Sequence, residues 1–122
     1  MLPDPEQLMT DFLLSRSAVV AITTADRIGT DLAAGEAVSI RVTTVWADVP
    51  QYHEAHVTLE LECWGGTRAE ASDLARVVVD ELPNIKGADV SHWDVTLGPF
   101  SRPDPVSDRP RFIVDVELIT HP

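Results

Sequence analysis

The sequence predicts an α+β fold: a mixed sheet of about four strands with helices packed on one face, in the order α-β-β-α-β-β. Three observations predict it. Residues 55–64 alternate as a half-buried strand does, sending Val57, Leu59, Leu61 and Cys63 to one face and His56, Thr58, Glu60 and Glu62 to the other. After the break at Gly65-Gly66, helical spacing puts Ala71, Leu74, Ala75, Val78 and Leu82 on one side and Ser72, Asp73, Arg76 and Asp80 opposite. Strand alternation then returns near the end of the chain, where Phe112, Val114, Val116 and Leu118 share a face against Arg111, Asp115 and Glu117. A one-sided helix between one-sided strands must lie on the sheet they form.

Taken in order, the chain opens with a helix start. Asp4 caps, Pro5 takes the first helical position where its missing N–H costs nothing, and Gln7 closes the capping box. Leu8, Met9, Phe12 and Leu13 form the apolar stripe of this helix, which ends near residues 15–17. Periodicity leaves residues 18–22 open between a buried helical turn and a strand, and we read them as a helical turn. Residues 27–32 read as a short edge strand, with a flexible 33–36 after it. Ile40, Val42, Thr43, Thr44 and Val45 make residues 39–46 a β-branched strand. The proline-bearing 47–54 is longer than a tight hairpin turn and is expected to project from the sheet. Gly65-Gly66 supplies a sharp reversal, and Thr67 with Glu70 makes a capping box at the start of the central helix.

Residues 83–87 end that helix. Residues 88–97 then alternate, Trp93, Val95 and Leu97 on one side and His92, Asp94 and Thr96 on the other. Four of the nine prolines fall in residues 98–110, which therefore read as a stiff, extended loop or arm unable to pair regularly. The whole of residues 1–122 reads as one domain, without internal repeats or low-complexity tracts.

Composition narrows the function. At 122 residues and 44% hydrophobic content, the chain buries well over half of its unfolded surface without staples. Its single cysteine, Cys63, excludes an internal disulfide and sits on the apolar strand face as a small hydrophobe. No run approaches the ~20 apolar residues of a membrane helix, and the first residues lack a basic region or apolar signal core, so a soluble protein with no membrane contact is expected. Twenty acidic against nine basic residues give a net charge of −11, which repels phosphate backbones and argues against adhesive nucleic-acid binding.

Catalytic and metal signatures are absent, and no cofactor is expected. His53-Glu54-Ala55-His56 is one residue short of the zinc-protease motif, and its histidines enter a strand where odd spacing points them apart. His92 and His121 have no ligand at metal spacing. Glu60 and Glu62 share a strand face roughly 7 Å apart, a separation used by glycosidase carboxylates, but a solvated face or one turned to a neighbouring subunit is the simpler reading. No Gly-x-Ser-x-Gly elbow or phosphate-binding glycine motif occurs. Tyr52 and Phe100, in proline-bearing connections, are candidates for contact with another subunit or partner, and Arg102 and Arg111 join them.

Taken together, the elements resemble a known family: the tail terminator, or tail-completion, proteins of long-tailed phages, especially the small ones from actinobacterial phages. The residues that carry the resemblance are Trp64-Gly65-Gly66 running into Ala69, Ala71, Leu74-Ala75, Val78 and Leu82, followed by Pro103-Asp104-Pro105 and by Pro110-Arg111-Phe112 entering a closing strand. An opening helix, the Arg27-Ile28-Gly29 segment and the chain length agree, so the likeness runs over nearly the whole chain. The resemblance implies a tail-terminator-like fold and a non-enzymatic virion protein at the head-tail junction, made in the host cytoplasm. It would assemble as a homohexameric ring on the last ring of tail-tube protein, stop polymerisation and offer its other surface to head-completion proteins. DNA would cross the ring unbound, past a lumen or exposed strand face bearing Glu60 and Glu62. The competing readings are a small bacterial adaptor module, monomeric or dimeric, and a small-molecule enzyme built on Glu60, Glu62 and the histidines.

Overall fold

In the structure, a computed structural model that describes residues 2–23, 27–30, 38–51, 54–87 and 89–122, two long antiparallel hairpins form most of the sheet. The elements are α1 (Pro5–Ser15), α2 (Ser17–Val20), β1 (Ile28–Gly29), β2 (Ser39–Gln51), β3 (Glu54–Trp64), α3 (Arg68–Glu81), a 3-10 turn (Leu82–Ile85), β4 (Val90–Ser101) and β5 (Arg111–Thr120). The sheet order is β1-β2-β3-β5-β4, with β1 parallel to β2 and the other pairs antiparallel. The described residues thus hold five strands rather than four, in the order α-α-β-β-β-α-β-β.

Both longer helices begin as the sequence predicts. The Asp4 carboxylate accepts from the N–H groups of Glu6 and Gln7, and Pro5 takes the first helical position. The Gln7 side chain does not turn back to the cap; it donates instead to Asp11, 2.8 Å away. The hydroxyl of Thr67 accepts from the N–H of Glu70 at 3.2 Å and caps α3. Gly65 is required where it stands: a Cβ there would lie 2.5 Å from the backbone N of Ala71, so only glycine lets the turn close against α3.

One continuous core joins the helices to one face of the sheet. Leu59, Leu61, Cys63, Val114, Val116 and Leu118 meet the fully buried Ala71, Leu74, Ala75 and Val78 of α3, and Met9 and Leu13 of α1 complete the cluster. The alanines permit close approach, and the larger side chains between them fill the space. Burying such side chains supplies about 25 cal/mol per Å² of apolar surface removed from water.

The two proline-bearing connections depart from expectation. Residues 47–51 do not leave the sheet: β2 continues to Gln51, pairing Asp48 with His56 and Gln51 with Glu54 across register shifts at Thr44/Trp46 and Asp48/Gln51. Residues 98–101 likewise belong to β4, pairing Phe100 with Ile113 and Ser101 with Phe112. Prolines enter strands where the ladder is interrupted, and Pro50 and Pro99 each fall inside such an interruption. The shift between Val95 and Leu97 also turns Leu97 to the face opposite Val95, opposing Asp115, and leaves it 51% exposed.

Truncating the centre of this core tests the packing. Leu74→Ala should destabilise the fold by roughly 2–5 kcal/mol in urea unfolding, because Leu74 is fully buried at the contact between α3 and the sheet. A loss under about 0.5 kcal/mol would contradict it.

Candidate functional site

With α1 and α3 on one face, the other face of the central strands has no helix across it among the described residues. Residues directly opposed in an antiparallel sheet share a face, so register defines the rows of this surface. One row runs Arg41, Glu62, Ile113, Phe100; the next Thr43, Glu60, Asp115, Leu97; the third Trp46, Thr58, Glu117, Asp94.

The first row is largely covered, with Glu62 and Ile113 buried and Arg41 and Phe100 half-buried. Glu62, expected on a solvated face, is only 3% exposed. Its Oε1 accepts from Arg41 Nη2 at 2.7 Å and Nε at 3.0 Å, and its Oε2 accepts from Arg111 Nη1 at 3.0 Å. Alternation places Glu62 on the polar face correctly, but two arginines cover it. Arg111 is committed as well: its guanidinium lies over the Trp64 ring, 5.2 Å from the centroid, and its Nε donates to the Arg102 carbonyl at 3.0 Å. Glu62 is thus not on an open face, and the Arg111 side chain is largely covered within its own chain. Phe100 is half-buried opposite Ile113, and Arg102 is exposed. Tyr52 lies outside the described residues, as does His53.

The second and third rows are acidic and open. Glu60 opposes Asp115 directly across β3 and β5, and Glu117 opposes Asp94 across β5 and β4. Partial burial, then repulsion from Asp115 and Glu62, raises the Glu60 carboxyl above its ordinary value of 4.5, against the pull of Arg111 and Arg102. Burial raises Asp115 too, and its Oδ1 is buried without a hydrogen-bond partner. The exposed Trp46 and Leu97 end these rows, and Val45 and Val49 of β2 are exposed as well.

Among the described residues no group of three or more His, Cys, Asp or Glu is placed to hold a metal ion. His56 Nε2 lies 3.5 Å from Glu54 Oε1, within the same strand. The Cys63 thiol is pushed up to about 12, by burial first and by the Glu62 charge second, which keeps it protonated and unreactive at neutral pH. Among the described residues no helix is long and apolar enough to cross a membrane. Two signals for this site were present in the sequence but unread: the apolar Ile113 and Ile119 interrupting the polar face of β5, and Arg41 and Arg111 flanking the Glu62 row.

No protein-family model matches the chain, and no curated protein matches its sequence. Its backbone does match solved structures. A chain of the virion of a native gene transfer agent (GTA) particle shares 13% identity at a TM-score of 0.70, over 96% of this chain and 94% of that one. The bacteriophage SPP1 gp17 protein shares 16% identity at a TM-score of 0.58, over 92% of this chain and 85% of its own. One is a virion component and the other a phage protein; at these identities the likeness establishes the shared α+β fold.

Two substitutions test the site. Arg111→Ala should cost about 3 kcal/mol, the low end of the range for breaking a buried ion pair because Arg41 remains, whereas Arg102→Ala should change stability by less than about 0.5 kcal/mol. Equal effects in urea unfolding would contradict the clamp. Glu60→Gln should stabilise by about 0.2–1 kcal/mol at neutral pH by removing a like-charge cross-strand pair. A carboxyl raised in the folded state binds more protons there than in the unfolded chain, so native stability falls as pH rises from the ordinary value through the raised one. The gain from Glu60→Gln is therefore full above the raised value and vanishes below about pH 4.5, as melting temperatures across pH 4–8 would read.

Proposed function

We propose that this chain is a tail terminator of a long-tailed phage or phage-like particle, a non-enzymatic virion protein at the head-tail junction. Six copies form a ring on the end of the tail tube, end its polymerisation and present their outer face to head-completion proteins. The observation that carries this reading is the fold match over 96% of the chain to a component of a gene transfer agent virion. The match to a bacteriophage protein supports it.

The uncovered face suits the passage of DNA. We assign the strip of Glu60, Asp94, Asp115 and Glu117 to the lumen in place of Glu62, because carboxylates repel a phosphate backbone and let it slide without sticking. Each chain contributes one patch to a neighbour that meets a different patch, and a ring results when the rotation between copies closes. Arg102, Phe100 and the exposed Val45, Trp46 and Val49 of β2 lie on surfaces available for such contacts or for the tube below.

Light scattering with purified cognate tail-tube protein tests the proposal. The expected result is a species of six times the 13.4 kDa chain mass, formed alone or on tubes, and tubes that stop growing when it is added. A chain that stays monomeric or dimeric and leaves tube growth unchanged would instead be an adaptor module.

A further inference from the structure

We infer that Glu60 and Asp115, opposed across β3 and β5, act as one proton-binding pair: a single proton held between the two carboxylates switches the charge of the uncovered face as the medium turns mildly acidic. The proton comes from solvent, sits on one carboxyl as an O–H, and donates to an oxygen of the other. The pair belongs to the single chain, whatever that chain assembles into.

Register brings the two side chains together. Glu60 and Asp115 are direct cross-strand partners, a placement that holds Cβ atoms roughly 4.5–5.5 Å apart and lets two carboxyl groups meet. Both residues are half-buried, and Asp115 Oδ1 is shut off from solvent without a hydrogen-bond partner. A buried carboxylate oxygen left in that state costs free energy, and a proton placed between it and its neighbour removes the cost.

The surroundings offer no other donor among the described residues. On this face Asp115 lies between Ile113 and Glu117 along β5 and opposes Leu97 on β4. Glu60 lies between Thr58 and Glu62 along β3 and opposes Thr43 on β2. The Thr96 hydroxyl reaches residue 115 but donates to its main-chain carbonyl, at 3.4 Å. The nearer cations, Arg41 from β2 and Arg111 from β5, are both committed to Glu62. Arg111 and Arg102 pull on Glu60 only as distant charges. Farther along the face, Asp94 opposes Glu117, and His92 Nε2 lies 3.9 Å from Glu117 Oε1. The helices pack on the other side of the sheet and bring no charge to the pair.

Electrostatics agrees with this geometry. Burial raises both carboxyls above their ordinary values, and repulsion from Asp115 adds to the rise at Glu60. Two carboxylates placed so close titrate as a unit, the first proton bound tightly and the second weakly. Uptake of the first removes one negative charge from the strip of Glu60, Asp94, Asp115 and Glu117 and joins two strands whose charges otherwise repel. Because the folded chain holds that proton more tightly than the unfolded one, the sheet gains stability as pH falls through the raised value and loses it as pH rises.

Site-resolved carbon NMR titration of the two carboxyls in the full chain, across the acidic range to neutrality, tests the pair. In the native sequence each carboxyl should show two steps, one of them its partner's. Asp115→Asn should weaken the proton affinity of Glu60 about tenfold, and Glu60→Gln should do the same to Asp115. Asp94→Asn removes an equal charge from the strip without opposing Glu60, so it should move both affinities by less than half as much. Single-step titrations indifferent to the partner's substitution would overturn the inference, as would an Asp94→Asn effect equal to that of Asp115→Asn.

Discussion

A carboxylate buried to within a few per cent of complete exclusion from water stays charged only if cations are brought to it, and Glu62 imposes that requirement on three strands at once. Arg41 approaches from β2 and Arg111 from β5, so the middle of the sheet is tied together on the face that no helix covers among the described residues. The constraint then passes outward. Arg111 stacks on Trp64 and takes the Arg102 carbonyl, and Gly65 N donates to the Pro110 carbonyl at 3.2 Å. The base of the 102–110 hairpin is thereby fixed to the turn that launches α3. The apolar face gives the sheet its stability, and this polar clamp gives the uncovered face its geometry.

Much of the fold is legible in the sequence because alternation and helical spacing report which side of an element is dry. Val57, Leu59, Leu61 and Cys63 on β3, the 71–82 stripe of α3, and the Thr67 cap are read correctly for that reason. Of the edge strand expected over 27–32, Ile28–Gly29 pairs as β1, residues 31–32 lying outside the described residues, and the helical turn expected over 18–22 is found at Ser17–Val20. What escaped reading has a shared cause. Periodicity assumes an uninterrupted ladder, and shifts at Thr44/Trp46 and Val95/Leu97 break it, so β2 and β4 run past the prolines that were expected to end them. Alternation also says which face a side chain takes, not what lies over it, and Glu62 is the consequence.

The like-charge rows remain to be explained by something outside the chain. Glu60 against Asp115, and Asp94 against Glu117, lower the stability of the sheet relative to neutral or opposite pairs at the same positions. Substitutions that relieve such strain are easily reached, and proteins keep costly arrangements mainly where function uses them. A threonine opposite either carboxylate would serve the strand better. The acidic strip is therefore a place where the sheet forgoes stability that neutral or opposite pairs would supply.

The distribution of charge gives that view a direction. A chain of net charge −11 repels copies of itself in most orientations, so association depends on where its few cations are left available. Arg16, Arg41, Arg76 and Arg111 pair with carboxylates of their own chain, and Arg102 and Arg109 stand in the 102–110 tip beside Asp104 and Asp108, so that tip is not a cationic patch. The same acidity that marks the open face thus also restricts how copies of this chain can meet.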